Sequence, residues 1–230
     1  LAIIRESMPL PAVCGRVCPH PCETACRRAN VDDSVNIMVL KRTASDYEWK
    51  HNHHHPVNQK PMKDKKIAIV GAGPAGLTTA FDLVRNGHQV TVYEANAAAG
   101  GMTRYGIPEY RLPYDALDRD IDLILSLGVE IHYNCRIGVY RQMDELQQQF
   151  DAVLLAIGLQ QGRQTRIPNS DHEQVYRAAD LLHRITAGEP FELPRQAVVN
   201  GGGNVAMDLA RSLARLHQQQ YGPVAGTGTA

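Results

Sequence analysis

The feature that most constrains this chain is a glycine-rich hexapeptide, Gly71–Gly76, that separates a strand pattern from a helix pattern. The run before it, Ile67–Val70, is short and wholly apolar, as expected of a strand buried on both faces. After it, apolar residues recur at helical spacing over Leu77–Val84, and Asn86-Gly87 ends that pattern. A second strand pattern, Gln89–Glu94, follows. The sequence therefore predicts a βαβ unit with a right-handed crossover.

The hexapeptide has the form G-x-G-x-x-G, which is typical of loops that bind a dinucleotide pyrophosphate. Gly71 permits the tight turn, Gly73 leaves the phosphates room to approach, and Gly76 lets the helix pack closely on the strand. The free N–H groups and the dipole of the helix N-terminus stabilise the phosphate charge. Glu94 ends the second strand, where its carboxylate can accept both ribose hydroxyls of an adenosine. Spacing leaves FAD and NAD open, and a glycine turn without a ligand is the alternative.

A second loop of this kind, Gly201–Ala206, reads G-x-G-x-x-A. The apolar run before it, Ala197–Asn200, predicts a strand, and a helix pattern follows it. Two such loops in one chain predict that one holds a flavin and the other presents a nicotinamide to it. Because the cofactors themselves perform hydride transfer, no side chain is predicted to be catalytic. A purely structural turn is the alternative, and NAD is not distinguished from NADP.

Four of the five cysteines fall within thirteen residues: Cys14, Cys18, Cys22 and Cys26. Pro19 and Pro21 exclude one continuous helix there, so the segment is predicted to be a loop that wraps a bound group. Thiolates at short spacing are typical ligands of an iron–sulfur cluster or of zinc, and electron chemistry beside a flavin favours iron–sulfur. A chain without metal is the third alternative. Cys135 stands apart and is predicted to be a small buried residue.

The charge balance and the lengths of the apolar runs exclude two classes of protein. Lys+Arg and Asp+Glu number 24 each, whereas nucleic-acid binders usually carry a basic surplus. No apolar run is long enough to cross a bilayer, and no secretory signal precedes the motifs. We therefore expect a cytoplasmic protein with no nucleic-acid or membrane partner. The first residue, Leu1, indicates a piece of a longer protein.

Five segments taken together carry a resemblance to a known family: Cys14–Cys26, Ile67–Gly76, Gly100–Met102, Tyr105–Pro113 and Gly201–Asp208. The most specific is Tyr105–Pro113, which reads Y-G-I-P-E-Y-R-L-P. With these segments the chain resembles the small subunit of glutamate synthase and the N-terminal half of dihydropyrimidine dehydrogenase. Both are iron–sulfur flavoprotein oxidoreductases, and the likeness extends over most of the chain.

The resemblance implies an α/β fold in which a small helical iron–sulfur domain precedes a Rossmann-like FAD-binding domain and the start of a second, NAD(P)-binding Rossmann unit. We expect the helical 4Fe-4S domain over residues 1–50, a linker over 51–65, the FAD-binding domain over 66–195 and the truncated NAD(P)-binding domain over 196–230. It also implies that NADPH or NADH reduces FAD, and that two 4Fe-4S clusters pass electrons to a partner subunit or domain.

The resemblance further implies which residues contact each cofactor. Those for FAD are Gly71, Gly73, Pro74, Ala75, Gly76, Glu94, Gly101, Met102, Arg111, Ile137 and Gly158. Those for the nicotinamide dinucleotide are Gly201, Gly203, Asn204 and Ala206. The candidate metal ligands are Cys14, Cys18, Cys22 and Cys26, although in the family the equivalent of Cys14 need not be a ligand and further cysteines come from upstream.

Two alternative functions remain from the sequence. One is a simple FAD-dependent NAD(P)H reductase without a working cluster, although the redox Cys-x-x-Cys of the thioredoxin-reductase class does not occur. The other is a zinc-stabilised module without enzymatic activity. The final electron acceptor cannot be read from these motifs.

Overall fold

The computed structural model describes residues 1–51, 56–162 and 167–222. Part of the predicted linker (52–55) and the end of the predicted last domain (223–230) lie outside these residues. The chain divides into two compact units. The first consists of Leu1–Arg104 and Glu109–Gly158, and the second of Tyr105–Pro108 and the chain from Leu159 onward. The domain boundaries predicted from the sequence stay a prediction.

The first unit begins with a small helical region that carries the clustered cysteines. Its helices are α1 (Ala2–Arg5), α2 (Pro11–Val17), α3 (Pro21–Thr24), a 3₁₀ turn (Arg27–Asn30) and α4 (Ile37–Lys50). Pro19 lies in the break between α2 and α3 and Pro21 begins α3, so one continuous helix is absent, as predicted. The predicted loop is wrong for Cys14 and Cys22, which lie in these two short helices. The side chain of Asn36 caps α4 by accepting the N–H of Val39 at 3.3 Å. The region is thus a set of short helices joined by turns.

A parallel sheet of four strands, in the order β3-β2-β1-β4, forms the rest of the first unit. In chain order the elements are β1 (Lys66–Val70), α5 (Pro74–Arg85), β2 (Gln89–Tyr93), α6 (Met102–Tyr105), α7 (Tyr114–Ser126), β3 (Glu130–His132), α8 (Met143–Gln149) and β4 (Ala152–Leu155). The predicted βαβ unit is present. The α5 helix buries Leu77, Phe81 and Val84, the face that the helical spacing predicts.

The strand order places a crevice at one edge of this sheet. Val70 at the end of β1 pairs with Tyr93 of β2 on one side and with Leu155 of β4 on the other. The chain therefore leaves β1 for one neighbour and later returns to the opposite side. In open α/β sheets, ligands bind at such a switch point, outside the carboxyl ends of the strands.

A buried carboxylate joins the helical region to the sheet region. Asp120 of α7 is 1% exposed, and its Oδ2 accepts the N–H groups of Ala12 (2.8 Å) and Val13 (3.1 Å) in the first turn of α2. Burial raises the pKa of Asp120 to about 7, against the lowering effects of these two N–H groups and of Arg5 and Arg119. The helix that carries Cys14 is therefore bonded directly to α7.

The second unit contains α9 (Ala178–Thr186) and α10 (Asn204–Tyr221), which pack through Leu181, Leu182, Leu209 and Leu213. The sequence predicts a strand over Ala197–Asn200, and this prediction is wrong, since those residues form no ladder and Val198 is 98% exposed. An apolar run becomes a strand only beside a partner that satisfies its backbone groups, and the described residues of this unit offer none. No helix within the described ranges is long and apolar enough to cross a membrane.

We predict that Asp120 makes the stability of the first unit depend on pH. The folded carboxyl keeps its proton up to about pH 7, whereas in the unfolded chain it is ionised from about pH 4 upward. The folded state therefore binds more protons between these values, and stability falls as the pH rises. Between about pH 5 and about pH 8 this group alone lowers the free energy of unfolding by roughly 3 kcal/mol.

Denaturant unfolding at the two pH values measures this difference. Asp120→Asn removes the contribution, because an amide does not titrate. Asp122→Asn, on the exposed side of the same helix, is the matched control and retains the pH dependence of the wild type. An unchanged pH dependence in Asp120→Asn contradicts the prediction.

Candidate functional site

The first loop, Gly71–Gly76, lies at the crevice between β1 and α5. Gly71 has a φ of +106°, and its N–H donates to the carbonyl oxygen of Tyr93 at 2.8 Å, which fixes the loop to the end of β2. A Cβ on Gly76 would lie 1.9 Å from the carbonyl oxygen of Gly71, so only glycine permits this close approach. Pro74 and Ala75 are exposed, so the N-terminus of α5 is open to an anion.

The space in front of Gly73 decides whether the loop fits a pyrophosphate. The atom nearest to the place of a Gly73 Cβ is the Cα of Gly101, at 3.8 Å. The loop therefore presents bare backbone to the crevice at this position, without a side chain that would hold a phosphate away. The residues present fit a dinucleotide pyrophosphate.

Glu94 makes hydrogen bonds within the protein that the sequence did not indicate. It is only 4% exposed, and its Oε2 accepts the N–H of Ala72 in the first loop at 2.8 Å. Its Oε1 accepts both the backbone N–H and the side-chain Nδ2–H of Asn96, each at 2.8 Å. The predicted ribose acid therefore also ties the first loop to the segment after β2, and Asn96 is a contact that no motif indicated.

The diglycine turn, Ala99–Gly101, adds a second wall to the crevice. The N–H of Gly100 donates to the carbonyl oxygen of Ala72 at 2.8 Å. Gly101, one of the predicted FAD residues, has a φ of +51°, and a Cβ there would lie 2.8 Å from the Cα of Gly73. The turn thus touches the first loop backbone to backbone, and the two glycine segments that the sequence identified are brought together.

The remaining predicted FAD residues are distributed around the first unit. Met102 begins α6 beside the diglycine turn and is 37% exposed. Gly158 has a φ of +66° and follows β4, whose carboxyl end lies beside that of β1. Ile137 packs against the cluster that contains Tyr93. Arg111 is half-buried in the turn before α7. The FAD assignment of these four residues stays a prediction.

The second loop, Gly201–Ala206, lies in the second unit and ends in the first turn of α10. Gly201 has a φ of +119°, as the tight turn of this motif requires, and the place of its Cβ is 3.6 Å from the Cβ of Ala206. All three glycines and Asn204 are exposed. The loop and the helix start of the predicted nicotinamide site are therefore present, although the strand before them is not.

The four clustered cysteines are all free thiols with different surroundings. Cys14 is half-buried in α2, and burial raises the pKa of its thiol. Hydrogen bonds from backbone N–H groups lower the pKa of the Cys26 thiol. The largest effect comes from Val35, followed by Arg28 and then Ala29. Cys18 Sγ accepts the N–H of His20 at 3.3 Å. N–H groups aimed at sulfur stabilise thiolates, the form that binds metal.

The chemistry of these four thiols fits an iron–sulfur cluster, because all four are free and two of them, Cys18 and Cys26, accept hydrogen bonds from backbone N–H groups. Within the described part of the chain, no three His, Cys, Asp or Glu side chains lie close enough to hold a metal ion. The assignment of Cys14, Cys18, Cys22 and Cys26 as ligands therefore stays a prediction.

Two family matches together cover nearly the whole chain. Residues 65–221 match the family described as pyridine nucleotide-disulphide oxidoreductase. The chain belongs to this family. Residues 1–53 match the family described as dihydropyrimidine dehydrogenase domain II, 4Fe-4S cluster. The second match thus falls on the helical region, and the first covers the sheet region together with most of the second unit.

Curated relatives and a solved structure agree with these matches. The chain is 52% identical over 220 residues to the NADPH-Fe(3+) oxidoreductase subunit beta of Geobacter sulfurreducens, covering 94% of this chain and 33% of the relative. It is 39% identical over 214 residues to the NAD-dependent dihydropyrimidine dehydrogenase subunit PreT of Escherichia coli, covering 91% and 51%. FprA of Mycobacterium tuberculosis in complex with NADPH aligns with a TM-score of 0.57 and 25% identity, covering 68% of this chain and 38% of that one.

These comparisons confirm the family resemblance, the α/β fold class and the expected cofactors, which are FAD, NAD(P)H and a 4Fe-4S cluster. The chain spans about a third to a half of the length of the two curated relatives. Both relatives are named as subunits. The name of the first includes NADPH and that of the second includes NAD, so these names do not distinguish NAD from NADP for this chain.

We predict different outcomes for alanine at two glycines of the first loop. Gly76→Ala forces a Cβ against the carbonyl of Gly71, so it lowers the stability of the FAD-free protein by about 1–3 kcal/mol. Gly73→Ala meets no such collision, so the FAD-free protein keeps its melting temperature. Its methyl group enters the phosphate path and weakens FAD binding by at least about tenfold.

Thermal unfolding of the FAD-free protein and a flavin-fluorescence titration separate the two effects. Gly202→Ala is the control for the general cost of an added methyl group, since no atom lies within 4 Å of its Cβ position and its φ, like those of Gly73 and Gly76, is outside the left-handed region. Wild-type FAD affinity in Gly73→Ala excludes the first loop as the pyrophosphate site.

Proposed function

We propose that this chain is part of an iron–sulfur flavoprotein that takes a hydride from NADPH or NADH onto FAD and passes the electrons onward through 4Fe-4S clusters. The receiver is a partner subunit or a further domain, as in the small subunit of glutamate synthase. The observation that carries the proposal is the presence in one chain of a 4Fe-4S family match and a nucleotide-dependent oxidoreductase match.

The packing of the first unit supports communication between these two parts. The α2 helix carries Cys14, and the N–H groups of its first turn bind Asp120 of α7, in the sheet region. A second set of contacts links α4 to α7. The Cζ of Arg119 on α7 lies 4.3 Å from the ring centroid of Trp49 on α4, and its Nη1 lies 3.4 Å from Oδ1 of Asp46 on α4. A cysteine region anchored on the flavin-binding region is the arrangement that short-range electron transfer needs.

In this proposal the side chains bind and orient, and the bound FAD supplies the hydride and electron chemistry. The first loop and the N-terminus of α5 hold the pyrophosphate. Glu94 holds the ribose. Its Oε1 already accepts two N–H groups from Asn96, whereas Oε2 accepts one from Ala72. A carboxylate oxygen accepts about two hydrogen bonds, so Oε2 is the atom that receives a ribose hydroxyl.

The second loop binds the pyrophosphate of the nicotinamide dinucleotide. Gly201, Gly203 and Ala206 keep the backbone open there, and the exposed N-terminus of α10 supplies N–H groups for the charge. The acceptor beyond the clusters is the part of the proposal that differs among relatives. The cytoplasmic location expected from the sequence also stays a prediction.

Anaerobic purification of the intact protein, followed by cofactor analysis, tests the proposal. We expect FAD together with iron and acid-labile sulfide, and we expect NADPH or NADH to bleach the flavin absorbance before the broad iron–sulfur absorbance. Flavin without iron supports the simple FAD-dependent reductase instead. Zinc without flavin supports the non-enzymatic module.

A cysteine variant tests the cluster assignment within this proposal. Cys26→Ser removes the thiol whose thiolate form is stabilised by backbone N–H groups, so we expect iron and sulfide to be lost while FAD is retained. Cys135→Ser changes a thiol that packs against an apolar cluster and is the matched control. Iron content equal to the wild type in Cys26→Ser rejects this residue as a ligand.

A further inference from the structure

We propose that Arg104 is a positioning residue of the FAD site, which holds the diglycine turn in contact with the first loop. The inference rests on the proposal that FAD binds at the first loop. No motif assigns this role to Arg104, which follows the turn by three residues and precedes the Tyr105–Pro113 segment. From the sequence alone, a solvated surface arginine is the equally good interpretation.

The contacts of the guanidinium distinguish Arg104 from a surface arginine. Its side chain is only 13% exposed. Its Nε donates to the carbonyl oxygen of Ala99, the first residue of the diglycine turn, at 2.6 Å. Its Nη2 donates to the carboxylate of Asp118 on α7. Its Cζ lies 5.2 Å from the centroid of the Tyr114 ring, within the range of a cation–π interaction.

These contacts connect the turn to a long helix. Asp118 and Tyr114 both belong to α7, whose apolar face is fixed by buried residues such as Leu117 and Ile121. An exposed ion pair contributes little because water and side-chain freedom compete with it. Here the guanidinium is largely shielded, and one of its acceptors is a backbone carbonyl that cannot move independently of the turn. Arg104 therefore fixes the diglycine turn relative to α7.

The position of the turn matters because its backbone touches the first loop. The place of a Cβ on Gly101 is 2.8 Å from the Cα of Gly73, and the N–H of Gly100 binds the carbonyl of Ala72. The N–H of Ala72 in turn binds Glu94. Hydrogen bonds thus run from the ribose acid through the first loop and the diglycine turn to Arg104. A displaced turn would change the width of the crevice beside Gly73.

The geometry also explains why arginine serves here better than lysine. The guanidinium presents several N–H donors in one plane, so it binds the Ala99 carbonyl and the Asp118 carboxylate at the same time. The ammonium of a lysine has a different reach and no fixed fork. Lysine can retain the charge pair with Asp118 but does not also reproduce the Nε contact with the turn.

Four variants of the intact protein test the inference: Arg104→Met, Arg104→Lys, Asp118→Asn and Asp122→Asn. FAD is removed from each protein, and its affinity is measured by flavin-fluorescence titration. Arg104→Met is expected to bind FAD about tenfold more weakly, and Asp118→Asn about threefold. Arg104→Lys recovers part of the loss. Asp122→Asn changes an exposed carboxylate one turn along α7 and leaves the affinity unchanged.

Two further readouts separate positioning from a general effect on folding. The melting temperature of the FAD-free protein is expected to be the same in Arg104→Met as in the wild type. The visible circular dichroism of the bound flavin is expected to change, because the turn beside it has moved. Arg104→Met with wild-type affinity and an unchanged flavin spectrum overturns the inference. An FAD-free protein destabilised in proportion to the lost affinity overturns it as well, since the role is then structural. A wild-type protein that binds no FAD refutes the proposed function instead.

Discussion

The backbone N–H and C=O groups of Ala72 are the point on which the candidate site in the first unit depends. Its N–H binds the buried carboxylate of Glu94 and its carbonyl accepts the N–H of Gly100. The first loop, the end of β2 and the diglycine turn that follows it are thereby held together at the carboxyl edge of the sheet. A buried backbone N–H needs an acceptor, and a buried C=O needs a donor. The first loop, the end of β2 and the diglycine turn therefore have to assemble together. The result is that Gly73 and Gly101 face each other without side chains, as a pyrophosphate site requires.

The attachment of the cysteine region follows a different principle. Asp120 is a carboxylate removed from water, and its Oδ2 accepts two N–H groups at the start of α2. Burial raises the pKa of Asp120 by more than the positive charges of Arg5 and Arg119 lower it. Buried ionisable groups tend to contribute specificity of arrangement rather than net stability. Asp120 thus bonds the first turn of the cysteine-bearing helix to α7 at one defined point.

Several features of the site could be predicted because they are local. The first loop, its helix and the second strand follow from glycine spacing and apolar periodicity alone, and the structure contains them. The strand over Ala197–Asn200 could not be excluded in the same way, because a strand exists only through its neighbour. Arg104 was not recognised as part of the site, since its partner Asp118 lies on another helix. Asn96 lies only two residues from its partner Glu94, but no sequence motif indicates that contact. The cysteine spacing predicts a metal-binding segment, but spacing does not determine which thiols meet.

The sequence by itself therefore determined the family, the fold class and the chemistry of the cofactors. These depend on the types of residues at short, fixed spacings, and the backbone geometry of a glycine loop or a short helix is set within a few residues. The tertiary structure decided which side chains support that chemistry: Glu94 as a clamp on the first loop, Asp120 as the anchor of α2, and Arg104 as the brace of the diglycine turn. These roles are defined by contacts between different elements, separated by 22 residues for Glu94 and Ala72, 108 for Asp120 and Ala12, and 14 for Arg104 and Asp118. Such contacts arise when burial forces polar groups to find their partners.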